Sequence, residues 1–326
     1  MPGEAVFTVR PHDPNDDAQW NEFVARSPNG CLFQDLTFLG YHPAGRFDFR
    51  HLQVLRGNML VAVMPGGLDA ERVYRSPLGA STGGPALLAE LGAADVLAIV
   101  DALKAYALDQ QWRGMEITLP PAITLNKPSQ IVEFALHRAG FKLARRWMNL
   151  VIALENAQGP DHFSDIFQSR QRTTARAGRR RGVAVSECGS EALPGFVEVF
   201  QDTYRRHGRN PTHTADEIGD LMRRFPSRVR LWMADADGTT LAGVLLFHLN
   251  ARTAYAFYIC DLETHRNMNA ATTLMAGIVA AMAERGLAYL DLGPSASDCH
   301  FNAGVVHFKE GLGARPFCRD SYRWNP

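Results

Sequence analysis

The sequence predicts an α/β (α+β) fold with two domains of similar architecture, each a mixed, mostly antiparallel sheet flanked by helices. The C-terminal half contains a hairpin, VRLWMADA and TLAGVLLFHLN joined at Asp-Gly, then the strand TAYAFYICD, the helical run NAATTLMAGIVAAMAERG and the buried strand LAYLDLG. The N-terminal half has the same order: FRHLQVL, MLVAVMPGG, RVYRSP, a helix from about Ala93 to Gln110, and GMEITLP. Because the letters of the two halves differ, the repeat is inferred from this order of elements.

The boundary between the halves is predicted in ENAQGPDH, residues 155–162, which is polar and contains a Gly-Pro breaker. This gives an N-terminal domain over residues 1–157 and a C-terminal domain over 158–326. A chain of 326 residues that is 46% apolar can build a core in each.

Composition narrows the function classes. Lysine plus arginine equals aspartate plus glutamate, at 34 each, so only a local patch could bind a polyanion. The five cysteines include no CxxC pair, which argues against a disulfide framework and against a metal site and favours a reducing compartment. The N-terminus lacks the apolar core of a signal peptide, and no apolar run reaches membrane-spanning length. We therefore expect a cytoplasmic protein without a membrane span.

The most unusual stretch is FQSRQRTTARAGRRRGVAV, residues 167–185, which contains six arginines and neither acids nor lysine. Like charges at helical spacing repel one another. A solvated helix face is one interpretation. A phosphate site is the other, since guanidinium groups bind phosphate bidentately. The arginines predicted to bind phosphate are Arg176, Arg179 and Arg180.

Two loops are further candidates. In DLETHRNMNAATTL a strand ends at Asp261 and a helix begins near Asn269, so an anion beside Arg266 would face helix N–H groups, with Asn267 or Asn269 as the cap. The same residues are compatible with an ordinary capped helix. The loop GASTGG, residues 79–84, could line a pocket or serve only as a tight connection.

A lone lysine, Lys309, follows His307 and Phe308 in VVHFKEGLGARPF. It could extend to water, or a fixed ammonium there could stabilise the oxyanion that forms when an amine attacks a carbonyl. The residues alone leave both interpretations open. The sequence contains no HExxH, Walker A loop, nucleophile elbow or GxGxxG after a strand.

With these stretches in order, the chain resembles the Fem-like branch of the GNAT acyltransferases, which have two tandem GNAT-like domains. The matching pieces are FLGYHPAGRF, SPLGASTGG, SRQRTTARAGRRRG, THRNMNAATTLMAGIVAAMAERG, LDLGPSAS and HFKEGLGARPFCRDSYRW. They span nearly the whole chain. Each piece alone is a weak signal, and it is their order, their spacing and the terminal FK followed by GxG that together make the resemblance specific.

The resemblance implies transfer of an acyl group, often from aminoacyl-tRNA or else from acyl-CoA, to a primary amine, with no permanently bound cofactor. The amine would belong to a small molecule, a sugar or a peptide. Lys309, beside Phe308, would stabilise the intermediate. Asp291 is a candidate general base by position only, and deprotonation of the amine by water or by the donor itself is equally consistent. The arginine cluster, Arg266, Asn267 and Asn269 would hold donor phosphate in the C-terminal domain, and Ser81, Gly83 and Gly84 would shape the acceptor site.

One departure concerns the donor. The turn HRNMNA lacks the glycines of a coenzyme A pyrophosphate loop, which favours aminoacyl-tRNA over acyl-CoA. A neutral protein with one basic helix nevertheless offers few phosphate contacts for tRNA. The rival from another class is a non-catalytic module that binds a nucleotide or a nucleic acid.

Overall fold

A computed structural model describes residues 6–155, 162–206, 208, 210–298 and 300–326. The chain divides into two compact units. The first runs up to Trp147 and is joined by Cys318–Pro326, and the second is Met148–Phe317. The domain boundary expected after residue 157 lies outside the described residues and stays a prediction.

The first unit is built from the N-terminal elements. They are β1 (Phe7–Pro11), α1 (Asp17–Arg26), α2 (Leu36–Leu39), β2 (Asp48–Phe49), β3 (Leu52–Arg56), β4 (Met59–Met64), β5 (Gly67–Leu68), β6 (Val73–Ser76), β7 (Ala86–Leu87), α3 (Ala93–Asp109), β8 (Gly114–Thr118), α4 (Ile131–Arg138) and the start of β9 (Lys142–Ala153).

The second unit takes the rest of β9 and the elements that follow it. They are α5 (Phe163–Ile166), α6 (Ser169–Arg180), β10 (Ala184–Cys188), α7 (Leu193–Arg206), α8 (Ala215–Arg224), β11 (Val229–Ala236), β12 (Thr239–His248), β13 (Thr253–Asp261), α9 (Ala270–Glu284), β14 (Tyr289–Ser297), β15 (His300–Phe301), α10 (Ala303–Gly311) and the start of β16 (Arg315–Trp324).

The first unit contains two sheets. One has the order β1-β3-β4-β7, and the other contains β9-β16-β8-β6-β5-β2. Strands β6 and β8 are parallel and are connected through α3, whereas β16 runs antiparallel to β8. Helices α3 and α4 cover one face of the sheet that contains β8. On this face a single apolar cluster includes Ile99, Leu103, Met115 and Ile117. This is the mixed α/β architecture that the sequence predicts.

In the second unit the strands follow the order β10-β11-β12-β13-β14. The β11–β12 hairpin turns at Asp237 and Gly238, whose φ angles of +50° and +75° suit a two-residue hairpin loop. Strand β13 pairs parallel to β14 after the crossover helix α9, which is buried along most of its length. The predicted order of hairpin, strand, helix and strand is confirmed.

The two units share a parallel crossover, β6-α3-β8 in the first and β13-α9-β14 in the second. They differ in their hairpins. Strand β12 pairs directly with β13, whereas the corresponding edge of β4 is taken by β7, so β3 and β4 lie in a separate sheet from β6. The internal repeat therefore holds for the order of elements and only in part for their pairing.

Helix α6 packs against the start of α9 through Gly178, which is buried. A methyl group at Gly178 would lie 2.1 Å from Thr273 Oγ1 and 3.0 Å from the carbonyl oxygen of Met268. The absence of a side chain is what lets the arginine-rich helix approach the loop before α9.

Replacing Gly178 by alanine should therefore lower the free energy of unfolding by about 1–3 kcal/mol, because the extra methyl separates α6 from α9. Gly304→Ala is the matched control, since the nearest atom to a methyl there is 3.6 Å away and the helix gains propensity. Chemical denaturation of the two variants measures the difference. Equal stability of both would show that the α6–α9 contact is not tightly packed.

Candidate active site

The side chain of Lys309 is held inside the second unit. It lies in the last turn of α10, which is capped at its N-terminus by Asn302, whose side chain accepts a hydrogen bond from the N–H of Val305. Lys309 is 6% exposed, and its Nζ donates to the carbonyl oxygens of Leu292 at 2.5 Å and Gly293 at 3.2 Å. An ammonium has three N–H donors, so one remains for a substrate atom once these two carbonyls are satisfied.

Burial lowers the pKa of Lys309 from 10.5 to about 8, and the charge of Asp291 opposes the shift in part. At neutral pH most molecules still carry the ammonium. The group thus has a full charge in a poorly solvated place, where a charge acts strongly on nearby atoms.

Asp291 fixes the backbone at Gly293, where β14 makes a turn that faces Lys309. Its side chain is 2% exposed and accepts hydrogen bonds from Asn149 Nδ2, at 2.9 and 3.2 Å, and from the N–H of Gly293 at 2.7 Å. Gly293 has a φ of +74°, which lets its N–H reach Asp291 while its carbonyl reaches Lys309. This geometry suits a charge partner that orients the turn, and a general-base role for Asp291 stays a prediction.

The Lys309 ammonium lies where two parallel strands cease to pair. The β13–β14 register covers Thr253–Tyr255 opposite Tyr289–Asp291, after which β13 runs on to Asp261 and β14 turns at Gly293. A methyl group at Gly293 would lie 3.1 Å from the Tyr255 hydroxyl, so this ring flanks the turn. Phe308, next to Lys309, is half-buried and packs against the apolar core of the second unit.

The predicted phosphate ligands Arg176, Arg179 and Arg180 all lie exposed on α6. Arg176 donates to Ser164 Oγ at 3.0 Å, and the Arg179 guanidinium lies 4.8 Å from the centre of the Phe163 ring. Within the described part of the chain, the side chain of Arg180 has no hydrogen bond or ion pair, and the same holds for the side chain of Arg170. These two guanidinium groups are available to an external anion.

The loop before α9 carries its own carboxylates. Arg266 lies 3.1 Å from Glu263 Oε1 and 3.8 Å from Asp261 Oδ2, and Arg206 pairs with the same two side chains and with Asp202. Three carboxylates thus face two guanidinium groups. A phosphate placed beside Arg266 would have to compete with Asp261 and Glu263.

The two asparagines of this loop do not cap α9 through their side chains. Asn269 occupies the position before the helix with a φ of +62°, but its side chain makes no capping hydrogen bond. The backbone carbonyl of Asn267 accepts a hydrogen bond from Arg181 of the basic stretch. The loop is therefore tied to the end of α6.

Ser81, Gly83 and Gly84 belong to the first unit, in the loop between β6 and β7, and this loop contacts the end of β8. The N–H of Gly83 donates to the Thr118 carbonyl at 2.8 Å, and the N–H of Gly84 donates to Ser76 Oγ at 2.9 Å. The Gly84 carbonyl accepts from Gln34 Nε2 at 3.0 Å. These bonds brace the loop, and its role in acceptor binding stays a prediction.

Sequence reasoning missed two residues of the Lys309 environment. The sequence places Gly293 only at the end of a strand, although LDLGPS has a glycine where β14 leaves its partner, and Asn149 belongs to no motif. Among the described residues no group of three or more His, Cys, Asp or Glu side chains could hold a metal. No helix in the described ranges is both long and apolar enough to cross a membrane.

Comparison with known proteins finds one family model that matches part of the chain. Residues 168–309 match the family model of the acetyltransferase (GNAT) domain, a range that begins just before α6 and ends at Lys309. No curated protein matches the chain.

Several solved structures share the fold over almost the whole chain. The crystal structure of FemX has a TM-score of 0.75 at 15% identity and covers 98% of this chain and 97% of that one. The structure of L-PGS from Bacillus licheniformis gives 0.61 at 12%, over 95% and 91%. A tandem GNAT protein from the clavulanic acid biosynthesis pathway, solved without AcCoA, gives 0.53 at 12%, over 98% of both chains. At these identities the likeness is one of fold, and it confirms the predicted tandem arrangement.

The burial of Lys309 makes a prediction about stability. A lysine whose pKa is about 8 in the folded state and 10.5 in the unfolded state destabilises the fold at every pH below 8. Lys309→Met should therefore raise the free energy of unfolding at pH 7 by about 1–3 kcal/mol, a gain that fades as the pH rises from 8 towards 10.5. Denaturant unfolding at pH 7 and pH 10 measures both, and a gain independent of pH would contradict the shifted pKa.

Proposed function

We propose that this protein, an acyltransferase of the Fem-like branch of the GNAT superfamily, forms amides by moving an aminoacyl group from aminoacyl-tRNA to a primary amine. The observation that carries the proposal is the buried ammonium of Lys309, bound to the carbonyls of Leu292 and Gly293 where β13 and β14 separate. A cation held there needs a function, since burying it costs stability.

The chemistry follows from the free donor of that ammonium. The acceptor nitrogen attacks the carbonyl carbon of the donor ester, a C–N bond forms, and the carbonyl oxygen becomes negative. The third N–H of Lys309 donates to this oxygen and stabilises its charge. When the tetrahedral intermediate collapses, the C–O bond to the tRNA ribose breaks, and the proton lost by the amine ends on the departing hydroxyl.

Two features favour tRNA as the donor over acyl-CoA. Arg266 in the loop before α9 and Arg206 at the end of α7 are already paired with three carboxylates, those of Asp202, Asp261 and Glu263, which opposes a pyrophosphate there. Helix α6, by contrast, exposes Arg170 and Arg180, for which the described residues provide no partner. Separated, exposed guanidinium groups suit a phosphate backbone better than one compact diphosphate.

The acceptor would be an amine-bearing small molecule, a sugar or a peptide. The loop of Ser81, Gly83 and Gly84 would shape the site that binds it. A cytoplasmic location, where charged tRNA is found, goes with this proposal. Acyl-CoA-dependent transfer is the second candidate, because the backbone N–H groups at the N-terminus of α9 could still bind a pyrophosphate. A non-catalytic nucleic-acid-binding module would retain α6 but give no amide product.

Replacing Lys309 by alanine should reduce kcat by about 10²- to 10³-fold, or 2.7–4 kcal/mol of transition-state stabilisation. In the wild-type enzyme kcat/KM should fall as the pH rises through about 8, because the ammonium is the active form and is lost above its pKa. Lys309→Arg, which keeps the charge, should move that limb to higher pH.

Lys142→Ala is the control for this experiment, since Lys142 is an exposed lysine of the first unit. A rate that rises through pH 8 in the wild type but not in Lys309→Arg would instead make the neutral amine of Lys309 a general base, whereas a rise shared by both proteins would report deprotonation of the acceptor amine. An unchanged kcat in Lys309→Ala would remove this residue from the mechanism.

The donor can be identified by incubating the protein with a pool of charged tRNAs or with a set of acyl-CoAs, each with an amine pool, and detecting new amides by mass spectrometry. We expect ribonuclease-sensitive product. Arg180→Met should then raise the KM for tRNA and lower the slope of log kcat/KM against log salt by about 1, as expected for one lost phosphate contact.

Product formed only from acyl-CoA would move the proposal to the second candidate. Retained tRNA binding with no product from any donor would favour the non-catalytic module. An Arg180→Met variant with an unchanged salt slope would place the tRNA elsewhere than on α6.

A further inference from the structure

One face of the larger sheet in the first unit is charged. Side chains alternate along a strand, and the registers place Arg75 of β6 opposite Glu116 of β8, and Glu116 opposite Arg323 of β16. The other face of the same strands carries apolar residues such as Met115 and Ile117, which pack against α3 and α4. On β16, Arg319 and Ser321 lie on the same charged face as Arg323, because side chains two residues apart on a strand share a face.

The carboxylates on this face are already paired. Glu116 lies 2.7 Å from Arg75, 3.0 Å from Arg145 and 3.7 Å from Arg323, and Asp69 lies 2.6 Å from Arg75. With Arg319 included, four guanidinium groups share two carboxylates. The face thus has an excess of positive charge.

Arg319 is the group that this pairing leaves out. It is only 9% exposed, and its guanidinium lies 4.7 Å from the centre of the Trp147 ring. Its Nε has no hydrogen-bond partner, and within the described residues no carboxylate forms an ion pair with Arg319. A cation–π contact offsets only part of the cost of burying an ion that has no opposite charge beside it.

A second guanidinium lies beside the same indole. The Arg145 guanidinium is 5.9 Å from the Trp147 ring centre, and its side chain is 53% exposed. Arg319, whose Nε has no partner, and the more exposed Arg145 thus contact the same ring. A guanidinium group binds the planar edge of an oxyanion through paired N–H donors.

We infer that Arg319, Arg145 and Trp147 form an oxyanion-binding site in the first unit, and that its ligand is the phosphate or carboxylate of the acceptor substrate. The site stands on the unpaired guanidinium, whereas its assignment to the acceptor rests on the proposed function. A chain of contacts connects it to the predicted acceptor loop, because Thr118 donates to Ser321 at 3.1 Å and its carbonyl accepts from Gly83.

Binding can be tested without catalysis. The unfolding midpoint is measured in phosphate, pyrophosphate and acetate at an ionic strength held constant with sodium chloride, for wild type, Arg319→Met and Arg146→Met. Arg146 is the matched control because it lies next to Arg145 on β9, loses the same charge and is paired with Asp320, at 2.7 Å, on the opposite face.

We expect the wild type and Arg146→Met to gain the same anion-dependent shift and Arg319→Met to lose at least half of it. Arginines on α6 would contribute equally in all three proteins. A larger shift with phosphate or pyrophosphate would identify a phosphate group, and a larger shift with acetate a carboxylate. Equal shifts in wild type and Arg319→Met would overturn the inference. Methionine keeps an apolar side chain over Trp147, so we expect Arg319→Met to fold. The shift that it loses then reports on anion binding.

Kinetics then separate this inference from the proposed function. Once an amide product is known, Arg319→Met should raise the KM for an anionic acceptor at least tenfold and leave the KM for the donor unchanged. Lost anion binding in Arg319→Met, with no amide product from the wild type, would retain the site and reject the function. Normal product formation with an unchanged acceptor KM would reject the site alone.

Discussion

The charge of Lys309 is the constraint on which the second unit's site depends. A buried ammonium needs fixed dipoles, and here the carbonyls of Leu292 and Gly293 supply them while Asp291 supplies an opposite charge nearby. The same carboxylate also holds the N–H of Gly293. The turn in β14, the separation of β13 from β14 and the placement of α10 are therefore parts of one arrangement, organised before any substrate binds.

Local patterns predicted most of the fold, because hairpins, crossover helices and buried strands are encoded in neighbouring residues. The β11–β12 turn and helix α9 are where the alternation and the apolar run placed them. The environment of Lys309 cannot be predicted from neighbouring residues, since Asn149 donates a hydrogen bond to Asp291, which lies 142 positions away in the sequence. Arg266 shows a different limit: the sequence contains both the arginine and its competing acids, Asp261 and Glu263, and only geometry shows that they pair.

Although the net charge is zero, arginines cluster in two places, on α6 in the second unit and on the charged sheet face in the first. Each consists almost entirely of guanidinium groups rather than ammonium groups, which suits planar anions. Elsewhere the acids neutralise the bases, as around Arg206. Electrostatics in this protein are thus local, and the whole-chain balance says little about what it binds.

Strand β16 begins in the second unit and ends in the first, where it lies between β9 and β8. During translation the first unit therefore leaves the ribosome without one of its central strands. Until residues 318–326 emerge, after the entire second unit, β8 presents an unpaired edge to the cell. The nascent chain must keep that edge from pairing with other strands, and the N-terminal half of the protein cannot finish folding until the C-terminal half has been made.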